Sequence, residues 1–313
     1  METIPNYSEL KWQPASKDFK IRLDELAAVC KQADGSEPVS RFTEEICDAA
    51  SQSYRTICGF YENQIAAAGW VLPFPAENGE QRFHLVGRVH PSYRRKGIGK
   101  ALLEWEELCA HQAGEKGSTL ALIIPNEAVV AGADTLYEQS GYSQAFAEKM
   151  MVCDLAKPLS DVPMTAGFHT AYWSDASAHD FFHAYQIAFY DRLGWLDQGE
   201  EGWIRTNSDD ADFLPGLSRV VYAGDEPVAF ITSFSFGPMG WIGQIGVAPD
   251  QRRGHIASAL LSMALQDLRG QGFTEAGLHV NINNSRAQNA FREAGFIDRL
   301  TRARYIKRVP PGN

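Results

Sequence analysis

One segment of this chain is written twice, and that repeat constrains the fold more than any other feature. Val89-His90-Pro91-Ser92-Tyr93-Arg94 returns as Val247-Ala248-Pro249-Asp250-Gln251-Arg252. A period near 150 residues duplicates whole domains, because solenoid repeats run to only about 20–50 residues. Landmarks downstream keep their distances: Arg94 and Asn126 lie 32 positions apart, as do Arg252 and Asn284. The first copy then has four more residues before Gly141 than the second has before Gly295, which places an insertion at 129–132. Pro158 and Pro163 lie in a stretch of little hydrophobic periodicity between the copies, which suits a linker. The expected division is therefore 1–157, a linker at 158–164, and 165–313.

Local patterns follow one order in both copies. An extended segment (83–89; 241–247) leads through a Pro turn and a basic, Gly-containing loop into a helix-periodic run. Ala101, Leu102, Trp105, Leu108 and Cys109 recur at helical spacing in the first run, as do Ile256, Ala257, Leu260, Leu261, Ala264, Leu265 and Leu268 in the second, so each helix buries one face. A strand (118–124; 275–282), a helix ending in Gly141-Tyr142 or Gly295-Phe296, and a last strand (148–155; 302–309) complete an α/β domain per half.

Charge narrows the partners. Twenty-nine Lys and Arg against 39 Asp and Glu leave −10, which repels phosphate polymers and anionic lipid, so neither a nucleic acid nor a membrane surface is the expected partner. The start has no basic stretch followed by an apolar run, and 18 consecutive apolar residues occur nowhere, so a cytoplasmic location is expected. Five cysteines without CxxC spacing read as reduced packing thiols. His179 and His183 are spaced to share one face of a helix expected over 176–193, but no third ligand accompanies them and no metal is expected.

The loop Arg94-Arg95-Lys96-Gly97-Ile98-Gly99-Lys100 is the strongest chemical signal. A helix start offers backbone N–H groups without internal partners and the positive end of the macrodipole, a seat for phosphate. Glycine lets the backbone approach the oxygens, and flanking cations add charge. A Walker loop fails because Ala101 follows Lys100, and a dinucleotide fingerprint fails because Leu102 stands at its third Gly. A plain Gly-rich turn with solvated basic residues is the competing reading.

Arg94-x-x-Gly97-x-Gly99 after Val89-x-Pro91 is similar to the acyl-CoA loop of the GCN5-related N-acetyltransferases. Leu136-Tyr137-Glu138-Gln139-Ser140-Gly141-Tyr142 resembles that family's late helix, and 278–296 resembles the same segment in the second half. Tandem halves of this length resemble those of mycothiol synthase-like proteins. The resemblance implies two tandem domains of this family, each a mixed, mostly antiparallel sheet flanked by helices and splayed at its centre. It implies acetyl transfer from acetyl-CoA to a primary amine of a small molecule or peptide, by direct attack in a ternary complex and without metal. Loop groups at Arg94, Arg95, Lys96, Gly97, Ile98, Gly99 and Lys100 would hold the pyrophosphate, with Val89 aligning the pantetheine and Asn126 nearby. Their counterparts would be Arg252, Arg253, Gly254, His255, Ile256 and Ala257, with Val247 and Asn284. Tyr137, four residues before the late Gly, would protonate the departing thiolate.

The two copies depart differently from that pattern. The first keeps both glycines and Tyr137; the second has His255 at the first Gly, Ala257 at the second, and Phe291, which has no proton to give. The first half is thus the expected catalytic half. No carboxylate base is visible on the strand before either loop; His84 and Gln244 are what those strands offer, and His90 is undecided. Acidic residues (Asp197, Glu200, Glu201, Asp209, Asp210, Asp212) and aromatics (Phe181, Phe182, Tyr190, Trp195, Trp203) could shape an acceptor pocket, or be solvated loop and core. The rival expectation is a non-catalytic acyl-CoA-binding regulator with two degenerate domains.

Overall fold

The computed structural model describes residues 4–35, 42–51, 55–77, 79–126, 128–130, 132–190, 199–252 and 254–311. The chain forms two compact units: Met1–Glu148 with Leu300–Asn313, and Lys149–Arg299. Unit 1 contains β1 (Lys11–Gln13), α1 (Lys20–Asp34), α2 (Phe42–Ser51), β2 (Arg55–Tyr61), β3 (Gln64–Glu77), β4 (Glu80–Val89), α3 (Ile98–Ala113), β5 (Thr119–Asn126), α4 (Ala133–Gln139) and the first half of β6 (Ser143–Asp154). Unit 2 contains β7 (Phe168–Tyr172), α5 (Ala178–Phe189), α6 (Glu200–Ser208), β8 (Arg219–Ala223), β9 (Glu226–Phe236), β10 (Met239–Val247), α7 (Ile256–Gly270), β11 (Glu275–Asn281), α8 (Ser285–Glu293) and the start of β12 (Ile297–Val309).

Both units are mixed sheets flanked by helices. In unit 1 the strands run β1-β2-β3-β4-β5-β12-β6, and in unit 2 β12-β6-β11-β10-β9-β8-β7. The pairs β4–β5 and β10–β11 are parallel. The pairs β1–β2, β2–β3, β3–β4, β5–β12, β7–β8, β8–β9 and β9–β10 are antiparallel. Both closing strands start five residues earlier than their periodicity suggests, at Ser143 and Ile297.

The sequence repeat and the compact units differ at those closing strands. Residues 303–309 of β12 pair with β5, from Ala303 against Asn126 to Val309 against Leu120, inside the unit of the first copy. Alternating apolar residues say that a strand exists, but not which neighbour it takes.

Alternation along β3 and β4 puts helices on both faces of unit 1. Trp70 turns toward α2, with its ring 4.8 Å from Phe42, and packs in a cluster with Leu23, Leu26 and Ile46. Its neighbour Gly69 turns the other way, toward Leu102 and Glu106 of α3. In unit 2, α5 and α6 enclose an aromatic cluster that includes Trp173, Phe181, Trp203 and Phe230, while α7 and α8 cover a cluster with Ile231, Ala264 and Phe291. All five cysteines are buried and none is in a disulfide.

Candidate functional site: two parted strand pairs

Strands β4 and β5 stay paired only as far as His84 and Ile123, although β4 continues to Val89 and β5 to Asn126. Strands β10 and β11 part in the same way after Ile242 and Leu278. A parallel ladder that stops early leaves backbone donors and acceptors on the facing edges without a strand partner, so each unit has a slot that a polar chain can fill. Unit 2 adds a bulge: Gly243 is the extra residue where β10 slips against β9 between Ile242 and Gln244. In unit 1, β4 keeps its register with β3 from Arg82 to Val89.

At the open end of each slot a helix begins without a side-chain cap. Gly97 is the N-cap of α3 at φ 88°, and the first turn holds no acidic residue. The first helical bond runs from the Ala101 N–H to the Gly97 carbonyl (3.1 Å), so the N–H groups of Ile98, Gly99 and Lys100 precede the ladder. In α7 His255 takes the same role at φ 57°, and Ala259 donates to its carbonyl at 3.0 Å. Histidine tolerates the left-handed region better than most residues, so this N-cap takes the left-handed turn without glycine. A Cβ on Gly99 would meet Leu136 at 3.5 Å and Val89 at 3.9 Å, ordinary contacts, and unit 2 has Ala257 there.

The loop arginines hold the loop rather than face it outward. The Arg94 guanidinium grips the Asp34 carboxylate at 2.6 and 2.9 Å and donates through Nε to the Val89 carbonyl at 3.0 Å. Arg252 donates to the Val247 carbonyl at 3.2 Å and to the Ala188 carbonyl at 3.0 Å. The Arg94 and Arg252 guanidiniums, expected to hold the pyrophosphate, thus bind the protein's own acceptors, and the Val89 and Val247 carbonyls each accept one of those bonds. Arg95, Lys96 and Lys100 are the exposed cations around the first loop. Lys96 Nζ lies 5.3 Å from the Tyr93 ring centroid, and a Cβ on Gly132 would collide with the Arg95 guanidinium. In the second loop the Gly254 carbonyl accepts from Thr165 at 3.1 Å and Ile256 is buried; Arg253 lies outside the described residues.

Asn126 and Asn284 match in spacing and differ in use. Asn126 ends β5, and its Nδ2 is buried with no partner among the described residues. Asn284 caps α8, its carboxamide oxygen accepting from the Ala287 N–H at 3.1 Å. The inserted residues remove that capping duty from Asn126, because α4 starts after Gly132.

Tyr137 sits half-buried on α4, its ring 5.0 Å from Tyr305 and 6.5 Å from Tyr142. Burial pushes its hydroxyl above the usual phenol range, and a negative charge on Glu106 would push it further. Phe291, its counterpart, is buried core with its ring 5.9 Å from Phe296. His84 forms the last rung before β4 and β5 part and stacks on Phe74 at 3.9 Å. Burial, then Arg304 and Arg82, draw its pKa down to about 4, so it is neutral at pH 7. His90 caps the turn at Pro91–Tyr93, accepting from the Ser92 N–H at 3.2 Å. Gln244 has an Oε1 with no partner among the described residues.

One residue escaped the sequence reading. Glu106 lies in α3 on the face of Leu102, Trp105 and Cys109, is 3% exposed, and its Oε1 has no partner among the described residues. Burial, reinforced by Glu107, keeps its carboxyl protonated well above the usual carboxylate range. The signal was present: an acid four positions after Leu102 and adjacent to Trp105 interrupts an apolar stripe.

His179 pairs with Glu200 at 2.5 Å and His183 with Glu226 at 3.9 Å, and no cluster of three metal-ligating groups occurs among the described residues. Phe181, Phe182 and Trp203 are core, and Tyr190 is 62% exposed. Glu200, Glu201, Asp209, Asp210 and Asp212 are exposed. Trp195 and Asp197 lie outside the described residues. Among the described residues no helix is long and apolar enough to cross a membrane.

Two α/β units, each with a parted central strand pair beside an uncapped helix start, define a tandem fold of the acyl-transferring class. Family comparison agrees: residues 172–296 match the acetyltransferase (GNAT) family and residues 52–144 match an acetyltransferase (GNAT) domain. The chain belongs to the GNAT acetyltransferase family, with two domains in tandem. A mycothiol acetyltransferase of Clavibacter michiganensis subsp. michiganensis is 26% identical over 69% of this chain and 70% of its own. The mycothiol acetyltransferase of Kineococcus radiotolerans is 25% identical over 90% of each chain. Among solved structures, a GCN5-related N-acetyltransferase from Sphaerobacter thermophilus superposes with a TM-score of 0.75, 21% identical, over 99% of this chain and 98% of its own. A tandem GNAT protein from the clavulanic acid biosynthesis pathway gives a TM-score of 0.59, 14% identical, over 97% and 100%. These two establish the fold alone.

Proposed function

We propose that this acetyltransferase moves an acetyl group from acetyl-CoA to a primary amine of a small molecule by direct attack in a ternary complex, with unit 1 as the catalytic half. The observation that carries the reading is the coincidence, in unit 1, of a parted β4–β5 pair, the uncapped start of α3 and Tyr137. The residues present fit the donor. The early N–H groups of α3 and the cations Arg95, Lys96 and Lys100 suit the diphosphate. The unpaired edge of β4 suits the pantetheine amides, and the unpartnered Asn126 amide is a donor waiting for an acceptor.

The donor, when bound, supplies an activated acetyl carbon and a thiolate leaving group. An alkyl amine with pKa about 10 is neutral only about one part in a thousand at pH 7, so losing its proton is part of the cost. His84 stands at the fork, but a base whose conjugate acid has a pKa of about 4 takes that proton poorly. Proton removal then falls mainly to solvent in the slot. Tyr137, present in this half alone, would supply the phenol that protonates the departing thiolate.

The acceptor of the curated relatives is the first to test, followed by other small amines. Calorimetry with acetyl-CoA should show binding, and a free-thiol assay should show amine-dependent release of CoA. Absence of heat at millimolar acetyl-CoA overturns the reading; tight binding without thiol release for any amine favours the non-catalytic regulator, which the lack of a carboxylate at 83–89 of β4 and on β10 also suggests.

A further inference from the structure

Three candidates stand outside the machinery already described. The shallow cavity lined by Tyr7, Tyr61, Tyr93 and Lys96 has no unpartnered buried group aimed into it. The Gln244 amide lies on the strand where a base is sought in unit 2, in a half without the tyrosine. The face of β12 turned away from the helices of unit 1 has more behind it.

Strand β12 alternates between two environments. Tyr305 turns to Tyr137 of α4, with ring centroids 5.0 Å apart, and Lys307 holds Glu107 of α3 at 2.9 Å. Arg302, Arg304, Ile306 and Arg308 therefore line the other face. That face is also the face of His84. Ile306 pairs with Ile123 of β5, Ile123 pairs with His84, and residues level with one another on neighbouring strands share a face. Gly87, three residues beyond His84, turns the opposite way, toward Leu102 and Glu106 of α3. Arg304 is in register with Pro125, in the stretch of β5 that has already parted from β4. By strand spacing and rise, its Cα is about 12 Å from that of His84. A long side chain crosses much of that distance.

The charges on this face are not balanced. Arg302 is bound by Glu148 at 2.6 Å and Arg308 by Glu80 at 2.8 Å. Arg304 is exposed; it has the Phe146 ring at 6.0 Å, and no ion pair or hydrogen bond among the described residues. An apolar wall faces water nearby, since Phe74, which stacks on His84, is 40% exposed. Unit 2 shows that the fold does not demand a basic face. Aligned on Gly141 and Gly295, Arg302, Arg304 and Arg308 stand where β6 has Glu148, Met150 and Asp154. Aligned on the loop arginines, His84 stands where β10 has Ile242. In a chain of net charge −10, the half that keeps the tyrosine has set an unpaired cation beside its fork.

We propose that Arg304 selects the acceptor: the amine that enters unit 1 also carries an anionic group, a carboxylate or a phosphate, which the guanidinium binds while the nitrogen reaches the fork at His84. This deepens the function proposed above and rests on unit 1 being the catalytic half. A guanidinium presents paired N–H donors that match either oxyanion, and such charge-assisted bonds are about twice as strong as neutral ones. An amine without an anion gains nothing there, because its ammonium meets a like charge. His84 adds no charge of its own, since burial and the arginines keep it neutral. Phe74 suits the short carbon chain between the two polar ends.

Thiol release from paired acceptors tests this. The pairs are α-, β- and γ-amino acids, each with its primary amide, and phosphoethanolamine with ethanolamine. Wild type should favour at least one anionic member by about 10-fold or more in kcat/KM. Arg304→Gln should remove about 10-fold of that preference, mainly through KM, and Arg304→Lys should keep part of it. The anionic-to-neutral ratio, compared between proteins, cancels the intrinsic reactivity of each amine. Both variants should keep Tm within about 2 °C, as for an exposed side chain without partners, and acetyl-CoA affinity within about 2-fold by calorimetry. A preference for amino acids supports a carboxylate, and one for phosphoethanolamine supports a phosphate. Neutral partners acetylated as fast as anionic ones, or a preference that Arg304→Gln leaves unchanged, overturns this inference while the proposed function stands. Thiol release with none of the acceptors overturns both. If Tyr137→Phe leaves kcat intact, the assignment of unit 1 falls and this inference with it.

Discussion

Where α3 crosses β3 and β4 it sets Glu106 against Gly69 and Gly87, and where α7 crosses β9 and β10 it sets Ala264 among Ile231 and Ile245. The slots those helices flank are built alike, with parted parallel strands, a left-handed N-cap and an arginine tying the loop to the strand end. The slots are therefore alike in both units, whereas only unit 1 has side chains that carry an acidic proton at the two compared positions, Glu106 and Tyr137. The second unit has apolar packing at both of those positions, Ala264 and Phe291. A fold that packs Ala and Phe at these positions does not need Glu and Tyr there to close its core.

The largest effect that would break this contrast is at Tyr137. Tyr137→Phe should lower kcat about 100-fold or more, the usual weight of a positioned acid, while Phe291→Tyr in unit 2 should leave it within about 2-fold. Steady-state thiol release checks both, and a strong gain from Phe291→Tyr would reverse the assignment of the halves. Next comes the loop. Gly97→Val forces a β-branched residue to φ 88° and should weaken acetyl-CoA binding about 10-fold or more by calorimetry. His255→Gly should leave binding within about 3-fold, because the turn already forms with histidine.

The packing exchange can be tested by stability. Gly87→Ala pushes a methyl to 2.9 Å from both Glu106 Oε1 and Leu102 Cδ2 and should cost about 1–3 kcal/mol in urea unfolding. Adding Glu106→Ala should restore part of that loss, a non-additive pair as expected for groups in contact. The pH dependence has a definite sign. Glu106 has a folded pKa raised above its unfolded value, so its contribution is fully present below the unfolded pKa and is lost as pH rises through the folded one. Tm of wild type should therefore decline on that alkaline side more steeply than Tm of Glu106→Gln; parallel curves would show that the carboxyl is not deeply buried. The smallest effect is Gly99→Ala, which meets only ordinary contacts and copies Ala257. It should change acetyl-CoA affinity by less than about 2-fold.

Much of the site was legible because its parts are local. A helix start after a strand, marked by Gly97 and a run of cations, is readable from consecutive residues, since the physics of an uncapped N-terminus acts within one turn. Tyr137 followed from the resemblance of 136–142 to the family's late helix. What Arg94 grips was not legible, because Asp34 lies 60 positions away and many other carboxylates in the sequence could have served. Asn126 and Asn284 show the same limit: equal spacing gave them one role, and only the start of the following helix separated a strand end from a cap.

The sequence by itself determined that the chain holds two α/β copies, where each loop falls, and which copy keeps the tyrosine, since repeats, periodicity and glycine positions act over short range. Tertiary structure alone decided which neighbour the closing strands take, where β4 leaves β5, and that one glutamate among many lies against two glycines. Those outcomes depend on pairing and burial between segments far apart in the chain, where the free energy of a contact belongs to the partners together and cannot be read from either one.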